Sequence, residues 1–186
     1  MARPSNTLRI IGGELRGRKL SFPDAKGLRP TPDRVRETLF NWLQAQVYGA
    51  RCLDLFAGSG ALGLEALSRG AAEVVFVERD GRVLQKLREN LLLLGQENGR
   101  CIQASAEQFL RGAAEPFDIV FLDPPFQTDE LAGLCASLEA GGWLREGFRL
   151  YMERPQRLAM PPLPAGWQVL RETRAGESRA CLIGRG

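Results

Sequence analysis

Apolar residues recur along this chain in two rhythms. Near-continuous runs at Arg51 to Phe56, Glu73 to Glu78 and Phe117 to Leu122 have the pattern of strands covered on both faces. Arg100 to Ala104 and Arg149 to Glu153 read as further strands. Between them the spacing becomes helical. Val35, Leu39, Trp42, Leu43 and Val47 share one face, and Val83 to Leu94 carries a leucine-rich one. Ala61 to Ser68, Ala106 to Arg111 and Glu130 to Leu138 complete the set of helices. Trp167 to Arg171 and Arg179 to Ile183 form a closing pair around Ala175-Gly176. Such alternation predicts a mostly parallel sheet with one reversed strand and helices on both faces. The expected class is α/β.

The start of the chain is different. After a polar opening, Leu8 to Ile11 and Glu14 to Phe22 flank Gly12-Gly13 and predict a β-hairpin whose second arm carries Arg16, Arg18 and Lys19. Gly27-Leu28-Arg29-Pro30-Thr31-Pro32 is forced into extended geometry by its prolines. Thr31 and Pro32 then suit the cap and first turn of a helix. The expected organisation is a basic hairpin extension over residues 1–27, joined to one globular domain over 28–186.

Charge sharpens that division. The whole chain of 186 residues has a net charge of +3. Its first 36 residues alone hold nine basic and three acidic side chains, so the remainder is acidic. A basic end of this kind suits a nucleic-acid partner, with a solvated face as the alternative. Arg34 and Arg36 oppose the dipole of their helix, which points to a nearby carboxylate or phosphate. The four cysteines are widely spaced and no histidine is present. Zinc sites, disulfide frameworks and histidine-based nucleophilic schemes are therefore not expected. No apolar run reaches the length of a membrane span and no leader pattern opens the chain, so a cytoplasmic location is expected.

The chemistry concentrates in two places. The first is Asp54 to Gly63, in which Gly58, Gly60 and Gly63 give the spacing G-x-G-x-x-G between a strand and a helix. Glycines there permit a tight turn, close ligand approach and close helix–strand packing. Glu78 ends the next strand twenty residues beyond Gly58, where a carboxylate can hold ribose hydroxyls. A carboxylate at Asp54 would repel a pyrophosphate and attract an ammonium. That favours S-adenosylmethionine over NAD, unless Asp54 merely caps the turn or pairs with an arginine.

The second place is Asp123-Pro124-Pro125-Phe126, which follows a strand and so falls at the same sheet edge. The Asp123 carboxylate and the Pro124 carbonyl can accept from one exocyclic amine. Phe126 offers a stacking face for a flipped base, worth about 1–3 kcal/mol. Acceptors arranged in advance stabilise positive charge as it moves from sulphur to nitrogen.

Together, D-L-F-A-G-S-G, Glu78 and D-P-P-F resemble the Rossmann-like S-adenosylmethionine-dependent methyltransferases that act on exocyclic amines. Arg9 to Gly13, Arg16-Gly17-Arg18, Arg29 to Thr31, Arg34 to Glu37 and Phe40 to Leu43 are similar to the bacterial 16S ribosomal RNA guanine-N2 methyltransferase family RsmD. The resemblance covers nearly the whole chain. It implies a seven-stranded sheet and one methyl group placed on guanine N2 in 16S ribosomal RNA, at guanine 966. It further implies that Asp54, Phe56, Ala57, Gly58 and Gly60 hold the methionine part of S-adenosylmethionine, Glu78 and Arg79 the ribose, and Ser105 and Ala106 the adenine edge. Where Ser105 stands the family often has asparagine or aspartate. Arg29 and Thr31 would cover the cofactor, and Asp123, Pro124, Pro125 and Phe126 would hold the base. Arg16, Arg18 and Lys19 would meet RNA phosphates. The product is S-adenosylhomocysteine, no metal takes part, the partner is the small ribosomal subunit or an assembly intermediate, and the protein is expected to be a monomer. Other acceptors, adenine N6 in DNA or a protein glutamine, share this chemistry. A catalytically silent RNA-binding scaffold and an NAD enzyme are the readings outside it.

Overall fold

A computed structural model describes residues 6–125 and 130–186. In chain order the elements are β1 (Asn6–Arg9), β2 (Lys19–Phe22), α1 (Asp33–Trp42), β3 (Arg51–Asp54), α2 (Ala61–Ser68), β4 (Glu73–Glu78) and α3 (Gly81–Leu94). They continue with β5 (Gly99–Gln103), α4 (Ala106–Leu110), β6 (Phe117–Leu122), α5 (Leu131–Ala140), β7 (Leu144–Pro155), β8 (Trp167–Ala175) and β9 (Ser178–Arg185).

Seven strands form one sheet in the order β5-β4-β3-β6-β7-β9-β8. The first five are mutually parallel, and β9 runs antiparallel to both β7 and β8. The sheet is thus parallel with a single reversed member, as its sequence pattern predicts. Its strand order turns back at β3, between β4 and β6, and a crevice opens there beyond the carboxyl ends of the strands. One face packs the hairpin and helices α1, α2 and α3 around Phe40, Leu64, Phe76 and Phe121. The other packs α4 and α5 around Val120, Leu134, Trp143 and Phe148. Each such side chain removed from water contributes about 1.5–3 kcal/mol.

The hairpin differs from expectation in its second arm. Pairing is confined to Asn6–Arg9 and Lys19–Phe22, and Glu14 to Arg18 form a loop. The loop is held by α2: Glu14 N–H donates to the Ser68 carbonyl at 2.8 Å, and Leu15 N–H to Ser68 Oγ at 2.9 Å. Gly13 has φ +78°, and a Cβ on it would lie 2.0 Å from the Ser68 oxygen. This contact diverts the backbone from the ladder. Helix α1 also stops at Trp42, although Val47 beyond it is still buried. Strands β7, β8 and β9 extend past their apolar runs, because antiparallel ladder bonds continue through polar residues.

Candidate active site

The glycine turn is built from three different demands. Gly58 and Gly60 have φ of +53° and +84°, the left-handed region that side chains disfavour. Gly63 is helical, and its need is closeness: a Cβ there would come within 2.2 Å of the Phe76 ring. The turn is tied down by Ala57 N–H donating to the Val77 carbonyl at 3.0 Å and Gly60 N–H to that of Ala57 at 2.7 Å. Glu78 closes the arrangement across those twenty residues. It accepts from Gly58 N–H at 2.9 Å and from Asp80 N–H at 3.0 Å.

Asp54 ends β3 beneath this turn and is 1% exposed. Its Oδ2 accepts from Gly63 N–H at 3.3 Å, while its Oδ1 is buried with no hydrogen-bond partner. Burial pushes its carboxyl up to about 7, and the Glu78 charge adds to the shift. The capping role is therefore half filled and no arginine pairs with it among the described residues. One acceptor remains for a donor from outside the chain. An ammonium group would supply it, so these residues fit an amino-acid-bearing sulphonium.

Asp123 stands beside Asp54. Asp54 on β3 is level with Phe121 on β6, which is level with Tyr151 on β7. Asp123 and Glu153 lie two residues further along, so all of these side chains share one sheet face. Thr31 Oγ1 donates to Asp123 Oδ2 at 3.1 Å. Glu153, which is buried, shares a hydrogen bond with Asp123, and Tyr151 Oη donates to Glu153 Oε2 at 2.9 Å. Desolvation raises the Asp123 carboxyl well above the ordinary carboxylate range. The Glu153 charge and, more weakly, the Asp54 charge act the same way, against the Thr31 bond. Pro124 is buried and Pro125 is exposed; Phe126 lies outside the described residues.

Thr31 corrects one expectation. Pro32 occupies the N-cap of α1 with no side-chain capping bond, and the Thr31 hydroxyl turns to Asp123 instead. The strap before it touches both halves of the crevice. Leu28 Cδ1 sits 2.7 Å from where a Gly58 Cβ would be, and a Cβ on Gly27 would lie 3.9 Å from Pro125. Arg29 is exposed on this strap. Ser105 caps α4 in a capping box: its Oγ accepts from Gln108 N–H at 3.1 Å, and its own N–H donates to Gln108 Oε1 at 2.9 Å. That commitment leaves its hydroxyl occupied. Ala106 beside it is buried, and Arg79 is exposed at the end of β4.

The basic residues expected to meet RNA are not gathered with this crevice. Arg16, Arg18 and Lys19 are exposed, and Arg18 Nη2 donates to the Leu93 carbonyl at the far end of α3. Helix α3 begins at the crevice and has 14 residues, a length of about 20 Å. Glu153 and Tyr151, by contrast, belong to the crevice and have no local motif to announce them. Only the register of β7 against β6 brings them there.

A seven-stranded sheet of this order, with an acid beneath a glycine turn and a second acid after the fourth strand, defines a class I methyltransferase fold. The solved structure of yhhF from Escherichia coli superposes with a TM-score of 0.91 at 48% identity, covering 97% of this chain and 98% of that one. The profile of the family described as Conserved hypothetical protein 95 matches residues 8–184. Curated relatives named ribosomal RNA small subunit methyltransferase D are 50% identical in Escherichia coli K12 and 42% identical in Haemophilus influenzae. They cover 93% and 91% of this chain, and 87% and 89% of their own lengths. The chain belongs to this family, the RsmD methyltransferases.

Proposed function

We propose that this protein transfers a methyl group from S-adenosylmethionine to the exocyclic N2 of a guanine in 16S ribosomal RNA, with guanine 966 the position that the family implies. The observation that carries the proposal is that Asp54 and Asp123 face one crevice from adjacent strands, with Asp54 Oδ1 left without a partner. Relatives named for the small-subunit ribosomal RNA they methylate support the choice of substrate.

The cofactor supplies an electrophilic methyl on a positively charged sulphur. Asp54 Oδ1 would accept from its ammonium and Glu78 from its ribose, and the backbone of Phe56 to Gly60 would hold the methionine part. Ala106 and the start of α4 border the adenine, with the Ser105 side chain confined to its cap. Arg29 and Thr31 lie on the strap that covers the pair. Asp123 and the Pro124 carbonyl accept from guanine N2 and fix its lone pair toward the methyl, and Phe126 stacks on the base. The nitrogen becomes cationic as the bond forms, and preset acceptors lower that barrier. The proton then leaves N2 for Asp123, with Glu153 next in line to take it. Arg16, Arg18 and Lys19 meet phosphates at a distance from the target base. The protein acts as a monomer on the small subunit or an assembly intermediate.

Replacing Asp123 by alanine tests the assignment. Methyl transfer to 16S ribosomal RNA should fall on the order of 1,000-fold or more, with S-adenosylhomocysteine affinity nearly unchanged by calorimetry. An affinity loss equal to the loss of rate would move Asp123 out of the reacting centre. Tritium transfer to DNA or protein instead of RNA would replace the substrate.

A further inference from the structure

The opposite face of the same sheet edge holds three arginines in a row. Arg154 pairs with Arg179 across β7 and β9, and Arg179 pairs with Arg174 across β9 and β8. Directly paired residues project to the same face, so three arginine side chains leave the sheet side by side from strands about 4.8 Å apart. Like charges so placed destabilise a sheet unless something lies between them. The chain supplies little. Glu172 Oε1 is 3.5 Å from Arg179 Nε and 4.0 Å from Arg174 Nε, and the other oxygen of Glu172 accepts from Cys181 Sγ.

Arg154 is the more telling member. It is 2% exposed; its Nη1 donates to the Leu158 carbonyl at 2.7 Å, and its Nε and Nη2 are buried without a partner. Unpaired donors on a buried cation are costly, and in native proteins they call for a ligand or an ion. A phosphate supplies what is missing: negative charge, and several oxygens in the geometry a guanidinium fork accepts. The outer two arginines remain reachable, with side chains 60% and 23% exposed. Arg154 directly follows Glu153, so the row stands at the same end of β7 as the crevice acid, on the other face of the sheet.

We propose that Arg154, Arg179 and Arg174 form an anion site that grips a phosphodiester of the RNA strand beside the target base. This rests on the RNA reading above, but not on the chemistry of methyl transfer. Binding of a 16S ribosomal RNA fragment, followed by fluorescence anisotropy over a series of salt concentrations, tests it. The double variant R174A/R179A should bind about tenfold more weakly. Its slope of log affinity against log salt should be lower by about 1 or more, with S-adenosylhomocysteine affinity and melting temperature retained. R154M should also weaken RNA binding while its melting temperature holds or rises, because an unpaired buried charge has been removed. A double variant with the wild-type slope, or an R154M protein that melts earlier yet binds RNA normally, overturns the proposal. If the wild-type protein binds with the expected slope but transfers no methyl to RNA, the catalytic reading fails and the phosphate site stands.

Discussion

Two groups of acids stand on the same side of this sheet and are treated in opposite ways. Glu65 in α2 is fully buried and fully satisfied. Its Oε1 accepts from Gly12 N–H and Arg69 Nε at 2.8 and 2.9 Å, and its Oε2 from Ile11 N–H at 3.0 Å, with Arg36 Nη1 at 3.5 Å. Arg36 in turn donates to the carbonyls of Arg9 and Thr31, so one ion pair joins hairpin, strap, α1 and α2. Asp54, Asp123 and Glu153 sit at the crevice with hydroxyls and amides for company, and no cation pairs with them among the described residues. A buried acid with every acceptor filled is a fastening. An acid such as Asp54, with one oxygen left without a donor in a crevice, is kept for something that arrives.

The largest test of that contrast is Glu65→Ala. It leaves the buried Arg36 cation with only the exposed Asp33 and frees two backbone N–H groups. Unfolding free energy should drop toward the upper end of about 3–5 kcal/mol, seen in urea titration. A drop below 1 kcal/mol would mean that the fastening contributes little. Asp54 carries the opposite sign. Its carboxyl titrates near 7 in the folded protein against an ordinary 3.8, so the folded state holds the proton more tightly. The stability it contributes is present below about pH 4 and is lost as pH rises through 7, amounting to roughly 4 kcal/mol at most. Asp54→Asn should flatten this decline and weaken S-adenosylmethionine binding at once. An unchanged pH–stability curve would show the acid already paired.

A finer distinction lies inside the crevice. Desolvation and, after it, the negative charge of Glu153 raise Asp123, which must be ionised to accept the N2 proton, so the rate should rise with pH through an acid limb above the usual carboxylate range. Glu153→Gln removes that charge and should move the limb toward lower pH. Single-turnover methylation across pH measures it. A role confined to packing would lower the rate without moving the limb.

Much of this was legible in the chain. The bounds of α2, β4 and β6 follow from their apolar runs, and the sheet follows from the alternation of elements. Asp54, the glycines, Glu78 and Asp123 were visible because each lies in a short local pattern. Arg36 was flagged by its place against the helix dipole, and carboxylate partners are what the fold supplies. Glu153 was hidden because its partner is 30 residues away and only strand register joins them. Thr31 suits a cap by sequence but bonds Asp123 instead, since local sequence cannot tell which oxygen a hydroxyl will reach. The hairpin's second arm is shorter than its sequence pattern because its docking on Ser68 is a tertiary contact.

The placement of β9 has a consequence for when this protein can work. The latest strand in the sequence lies between β7 and β8 and sets Ala180 against Glu153. A nascent chain still on the ribosome therefore lacks the wall behind its second acid until synthesis has passed residue 185.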